Sequence, residues 1–211
     1  MSGSRNDDVQ PLLEALKTVA SAFKADRVPF ALAGQYAVYA RGGQSSRHDV
    51  DFVLPPEALP AATAALEARG FDVVQPPEDW LAKVYVEGEL VDLIHTLASG
   101  PVDDQLLGRA ERLRVESIEM PVLSATDLVV GKLLALSEHA CNLEPALAVM
   151  RNLREQLDLD VIARACQGRP FAQACLGLAR DLGVLPTRHA GHEVIVMPDP
   201  HRVADPDPAL A

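Results

Sequence analysis

The segment His48-Asp-Val-Asp-Phe-Val-Leu54 constrains this chain more than any other. It reads as a strand that Pro55-Pro56 stops. Side chains alternate along a strand, so Val50, Phe52 and Leu54 point one way while Asp49 and Asp51 point the other. Aspartate is disfavoured in strands and its charge is costly to bury. A pair of them on one face therefore requires either an exposed edge strand or a compensating cation.

Helical and strand patterns alternate around this segment. Val9, Leu12, Leu13, Leu16, Val19, Ala20 and Phe23 recur at three- and four-residue steps behind the acidic start Asp7-Asp8, predicting an amphipathic helix. Pro29–Gly34 reads as a short buried strand, Gln35–Ala40 as a small-residue helix and Arg41–Arg47 as a breaker-rich loop. Glu57–Arg69 is an alanine-rich helix ended by Gly70, with Phe71–Gln75 an edge strand after it. Ala82–Val86 and Glu89–His95 flank Glu87-Gly88 as a hairpin. Downstream the expectation is a helix over Val102–Arg114, then a short apolar segment Met120–Leu123. Ser124-Ala-Thr-Asp127 resembles a capping box opening a helix over Ala125–His139, and Leu143–Leu182 reads as helical throughout, broken at Gly168-Arg169-Pro170. The architecture is α/β: a core with a small mixed sheet over residues 1–123 and a helical C-terminal region over 124–185. Residues 186–211, with five prolines, read as a flexible tail.

The chain's 211 residues, 48% of them hydrophobic, suffice for one buried core and exclude two large domains. No apolar run approaches the ~18 residues of a membrane span. Nineteen Lys and Arg against thirty Asp and Glu give a net charge of −11, which on average repels phosphate backbones and anionic membranes. Any nucleic-acid contact must then use a local basic patch. Cys141, Cys166 and Cys175 lack a paired metal spacing and the start is polar, so a reduced cytoplasmic protein is expected.

A third carboxylate joins the pair, since Asp92 is the one acid in the apolar run Leu90–Ile94. Beside the Asp49/Asp51 strand it would complete a site able to hold metal or take a proton from an attacking hydroxyl. Mg²⁺, or Mn²⁺ in its place, suits carboxylates that share a cation with substrate phosphates. A hydrogen-bonded core aspartate is the alternative. Gly34 ends a strand just before a helix, where backbone N–H groups can approach phosphate oxygens. In the loop before the acids, Ser46 and Arg47 supply a hydroxyl and a guanidinium, as a phosphate clamp requires, with an ordinary surface loop as the alternative. Lys132 falls in step with Leu128 and Leu136 in an apolar stripe, either neutralising phosphates or snorkelling at the rim of the core. Trp80 and Tyr85 read as core anchors, with base stacking as the alternative. His48 and His95 read as hydrogen-bonded strand residues, and His189 and His192 lack the further ligands of a closed metal site.

Leu32-Ala-Gly34-Gln35, then thirteen residues, then Asp49-Val-Asp51-Phe52 resembles the signature of the DNA polymerase β-like nucleotidyltransferase superfamily. That signature is a Gly-Gly or Gly-Ser pair, a similar gap, and Asp, an apolar residue, Asp or Glu, and a second apolar residue. Leu90-Val-Asp92-Leu-Ile stands where the family keeps its third carboxylate. Asp127-Leu-Val-Val-Gly-Lys132-Leu looks like the lysine-bearing helix of the minimal bacterial branch containing abortive-infection and MenT-like toxin nucleotidyltransferases. The resemblance runs from about Pro29 to Leu182 and departs at Gln35, a longer amide where the signature has Gly or Ser.

The resemblance implies Mg²⁺-dependent transfer of a nucleoside monophosphate from a nucleoside triphosphate such as ATP to an acceptor hydroxyl. It implies Asp49, Asp51 and Asp92 as metal ligands and, with Lys132, as catalytic residues. Gly34, Gln35, Ser46, Arg47, Lys132 and Asp160 would bind the nucleotide. Asp160 is preferred to Asp158 because Asp160-Val-Ile fits the family's late Asp-apolar pattern; a helix N-terminal charge is the other reading. The acceptors implied are a tRNA 3′ end in a toxin-like role with a cognate antitoxin as partner, a protein side chain, or a small hydroxylated molecule such as an aminoglycoside. Arg109, Arg112, Arg114, Arg151 and Arg154 would supply a cationic track for RNA. The competing expectation is a non-catalytic nucleotide- or partner-binding module of the same fold.

Overall fold

The computed structural model describes residues 9–44 and 48–186. Helix α1 (Gln10–Ala25) buries the stripe read from the sequence, with Leu12, Leu13, Leu16, Val19, Ala20 and Phe23 all in the core. Strand β1 (Ala31–Leu32) leads into α2 (Gly34–Ala40), β2 (Val50–Val53), α3 (Leu59–Glu67) and β3 (Val73–Val74). Strands β4 (Leu81–Val86) and β5 (Glu89–Ile94) form the expected hairpin. Its turn residues Glu87 and Gly88 have φ of 53° and 90°, the left-handed pair that a two-residue hairpin connection demands.

After a small ribbon of β6 (Thr96–Leu97) and β7 (Gly100–Pro101) come α4 (Asp104–Gly108), β8 (Glu111–Val115) and β9 (Ile118–Val122). Four helices follow: α5 (Ala125–Leu134), α6 (Glu144–Leu153), α7 (Leu159–Ala165) and α8 (Pro170–Asp181). The main sheet is mixed and seven-stranded, in the order β3-β4-β5-β2-β1-β9-β8. Strands β2 and β5 are parallel, as are β1 and β9, and the other neighbours are antiparallel.

One face of the sheet is closed by α1, where Phe52 meets Phe23 and Phe30 with ring centroids 5.9 and 5.5 Å apart in edge-on geometry. Asp51, one residue earlier, points to the opposite face, where α2 begins. Helix α5 packs against α2 on that side and is itself covered by α6, α7 and α8. Arg41 ties these layers together. Its side chain is only 3% exposed. It donates to the carbonyls of Leu123 (2.8 Å) and Val122 (3.4 Å), to Glu111 Oε1 (3.1 Å) and to Gln156 Oε1 (3.3 Å). A buried guanidinium with this many acceptors fixes the end of α2 to the point where the sheet hands over to the helices.

Three expectations are corrected. Val102–Arg114 is not a helix: α4 stops at Gly108, and Glu111–Val115 turns back as β8 against β9. Leu106, Leu107 and Leu113 mimic helical spacing, yet Glu111-Arg-Leu-Arg-Val alternates and finds a strand partner, a tertiary gain that overrides local pattern. The helix over Ala125–His139 ends at Leu134, and Leu143–Leu182 is interrupted by a 3₁₀ turn at Arg154–Gln156 and extended residues before α7. Asp158 caps α7, accepting from the N–H groups of Asp160 (3.0 Å) and Val161 (2.9 Å). Ser124 caps α5 as expected, its Oγ accepting from Asp127 N at 3.0 Å. Among the described residues no helix is long and apolar enough to cross a membrane.

Candidate active site

The parallel register of β2 and β5 sets Asp51 directly beside Asp92, and Asp49 precedes β2 by one residue on the same side. One carboxylate oxygen from each of the three lies within 4.8 Å of the others. Asp92 is buried, at 8% exposure, and its Oδ1 is buried without a hydrogen-bond partner among the described residues. Leaving such an atom unpaired costs on the order of 1–3 kcal/mol. Burial first, and then the Asp49 and Asp92 charges, push Asp51 up to about 7 against the opposing charge of Lys132. Asp92 is also raised, by burial first and by Asp49, with Lys83 opposing.

Gly34 completes the pocket floor. Its φ of +57° is a left-handed conformation suited to glycine, and a Cβ there would overlap Asp51 Oδ2 and stand 2.6 Å from Asp51 Cγ. The strand end thus gives its side-chain space to a carboxylate. Three hard oxygen donors, one of them orphaned and buried, fit Mg²⁺ or Mn²⁺ better than a softer metal.

A cavity of about 700 Å³ opens beside the acids. Gly34, Asp51 and Lys132 lie at one end; Trp80, Ile94 and Leu97 form the sheet-side wall, and Leu128, Gly131 and Val149 the helix-side wall. Lys132 therefore faces the same space as Asp51. Its place in the apolar stripe of α5 is explained by a cavity rather than by a packed core.

Other expected site residues are placed differently. Gln35 begins α2 beside Gly34, but its Nε2 donates to the Gln44 carbonyl at 2.6 Å, so the amide ties the helix to the following loop. Asp160 sits exposed in the first turn of α7 and lines neither the cavity nor the acidic cluster. Ser46 and Arg47 lie outside the described residues, as do His189 and His192. His95 Nδ1 lies 3.3 Å from Thr96 Oγ1. Trp80 and Tyr85 are not core anchors, being 43% and 55% exposed. Trp80 lines the cavity, and Tyr85 lies on β4 of the hairpin.

Lys83 was not singled out by sequence, although the signal existed. A two-residue turn at Glu87-Gly88 pairs residues whose numbers sum to 175, which puts Lys83 opposite Asp92.

The family described as uncharacterised nucleotidyltransferase matches residues 7–194. This chain belongs to that family. It is a nucleotidyltransferase by that membership, and its mixed sheet with flanking helices is the nucleotidyltransferase fold. The crystal structure of ANT(2")-Ia in complex with adenylyl-2"-tobramycin shares that fold over 79% of this chain and 97% of that one, at 13% identity and TM-score 0.54. The lincosamide antibiotic adenylyltransferase LnuA, lincomycin-bound, is similar over 67% of this chain and 95% of its own, at 16% identity and TM-score 0.48. No curated protein matches the chain at a significant level.

Proposed function

We propose that this nucleotidyltransferase moves a nucleoside monophosphate from a nucleoside triphosphate to an acceptor hydroxyl, with Mg²⁺ held by Asp49, Asp51 and Asp92. The observation that carries the reading is the orphaned, buried Oδ1 of Asp92 inside a cluster of three carboxylates that repel one another. Such a cluster is stabilised by a cation, and a divalent ion there would neutralise triphosphate charge and activate the phosphorus towards attack.

The chain's own groups divide the remaining work. Asp92 takes the proton of the acceptor hydroxyl as its oxygen bonds to the α-phosphorus, and the bond from that phosphorus to the bridging oxygen of pyrophosphate breaks in line. Lys132, at the same end of the cavity as Asp51, offsets the negative charge that accumulates on the leaving pyrophosphate. Gly34 keeps the Asp51 carboxylate in place by offering no Cβ. In this reading the sheet unit up to Leu123 carries the acids and the helical unit from Ser124 supplies the lysine.

Among acceptors, a small hydroxylated molecule fits best. Three of the five arginines of the expected RNA track are engaged by carboxylates: Arg109 with Asp127 at 2.8 Å, Arg112 with Glu119 at 2.8 Å and Arg154 with Glu155 at 3.0 Å. With a net charge of −11, the surface offers RNA little to hold. The relative of matching fold, ANT(2")-Ia, is seen with a nucleotidylated small molecule, adenylyl-2"-tobramycin.

The test is pyrophosphate release with Mg²⁺, each ribonucleoside triphosphate and three acceptor sets: hydroxylated small molecules, tRNA and protein. Release that needs Mg²⁺, responds to a small molecule and is lost in Lys132→Met supports the proposal. Release only with tRNA would favour the toxin-like branch and an antitoxin partner. Nucleotide binding that raises the melting temperature with no release under any acceptor would favour a binding module.

A further inference from the structure

The cavity beside the carboxylates is chemically lopsided. Its reaction end has Asp51 and Lys132, and its other polar side chains are Asp127 and Thr96. Both are already engaged. Asp127 accepts from Ser124 Oγ at 2.6 Å and from Arg109 at 2.8 to 3.2 Å, and Thr96 Oγ1 lies 3.3 Å from His95 Nδ1. The remaining side chains are apolar apart from the indole N–H of Trp80, and at Gly131 the helix wall is recessed, since a Cβ there would meet nothing within 4 Å.

Trp80 stands on the opposite wall. Its backbone is fixed, because its carbonyl accepts from His95 N at 3.0 Å and Thr96 N at 3.1 Å, yet the residue as a whole remains 43% exposed. A held backbone with an open ring is a prearranged platform for a flat ligand. Side-chain readout of a base by hydrogen bonds needs uncommitted donors and acceptors along its edge, whereas stacking accepts any base because every base has a π-face.

Resting on the nucleotidyl-transfer reading above, we propose that this cavity seats the nucleoside of the triphosphate with its base against Trp80 and selects it by stacking and shape. All four ribonucleoside triphosphates are then accepted, purines ahead of pyrimidines. Trp80 is a specificity-determining residue in this arrangement, and base identity is read weakly.

Trp80 is the single tryptophan of the chain, so its fluorescence reports on the cavity directly. Titration of the full chain with the Mg²⁺ complexes of ATP, GTP, CTP and UTP should quench it, with dissociation constants spanning roughly tenfold and purines tightest. Tripolyphosphate with Mg²⁺, which carries the phosphates and no base, should bind more weakly by calorimetry and leave the fluorescence unchanged. Trp80→Ala should weaken ATP roughly tenfold without affecting tripolyphosphate, and Trp80→Phe should recover most of the loss. A preference beyond roughly 100-fold for one base would indicate hydrogen-bond readout and overturn the proposal. So would triphosphates that bind no better than tripolyphosphate, or ATP affinity indifferent to Trp80→Ala; in both cases the phosphate end of the site would survive. If neither tripolyphosphate nor any nucleotide binds, the nucleotidyl-transfer reading fails first and takes this one with it.

Discussion

The two faces of the β2–β5 pair are one residue apart in sequence and opposite in character. On the α1 side, Val50, Phe52, Val91 and Leu93 are fully buried, and Phe52 locks edge-on into Phe23 and Phe30. On the other side the same strands present Asp51 and Asp92, with an unpaired buried oxygen and carboxyl groups raised by burial and mutual repulsion. The first face is a finished core, while the second carries a cost in stability that a bound cation would remove. A single strand can carry both because its side-chain period is two. The difference teaches that the packed face sustains the strained one.

The sharpest break in this comparison is chemical. Asp51→Asn and Asp92→Asn each remove a charge at nearly constant volume, and nucleotidyl transfer should fall roughly 10³-fold or more, as loss of several kcal/mol of metal-borne stabilisation implies. Metal-free melting temperature should rise in the same variants, because each relieves a crowded buried carboxylate. Activity within tenfold of the parent in both would remove these residues from the site.

The neighbouring position should behave in the opposite way. Phe52→Ala opens a cavity among three aromatic rings and should cost about 3–5 kcal/mol in urea unfolding. Residual folded enzyme should keep its nucleotide affinity if the two faces are as separate as their packing indicates. Adjacent residues would then shift stability in opposite directions, Asp51→Asn upward and Phe52→Ala downward.

Much of this contrast was legible in the sequence. The apolar runs around Asp49, Asp51 and Asp92 announce both strands and the gathering of their acids, and Gly34 is marked by its place between strand and helix. What escaped reading depended on long-range partners. Strand β8 was hidden by helix-like leucine spacing, and only its pairing with β9 reveals it. Arg41 is indistinguishable from a surface loop arginine until the carbonyls of Val122 and Leu123, more than eighty residues away, arrive beside it. Trp80 has a core-type side chain, but its position at the open end of the sheet leaves it facing a cavity. Residue type reports what a side chain prefers; only topology reports what it meets.

A pH titration sharpens the same contrast. Asp51 moves from an ordinary 3.8 to about 7 on folding, so between these values the folded protein keeps a proton that the unfolded chain has released. Its contribution to stability is therefore full below about pH 4 and is lost as pH rises through 7. Asp92, raised as well, acts in the same direction. The expected loss for the metal-free protein is about 2–4 kcal/mol, read as the difference between parent and Asp51→Asn across pH 4 to 8. That difference should shrink when Mg²⁺ is added, since the ion competes with the proton for the same oxygens. A difference that narrows on raising the pH without metal would contradict the burial of Asp51.

The smallest effect belongs to Gln35, where the sequence departs from the superfamily signature and the structure gives the amide a different occupation. Its Nε2 donates to the Gln44 carbonyl at 2.6 Å, in the loop that follows α2. Gln35→Ser removes that bond and should lower stability by about 0.5–1.5 kcal/mol, with triphosphate affinity changing less than roughly tenfold. Gln35→Glu is the more informative substitution, because it keeps the length but replaces a donor with a second acceptor facing a carbonyl. It should destabilise more than Ser does, and the excess should fade as the glutamate is protonated near its ordinary pKa of roughly 4.3. If Ser instead proves neutral for stability while triphosphate affinity rises well beyond tenfold, the amide is obstructing the phosphate site, and the departure from the signature acts on binding rather than on the loop.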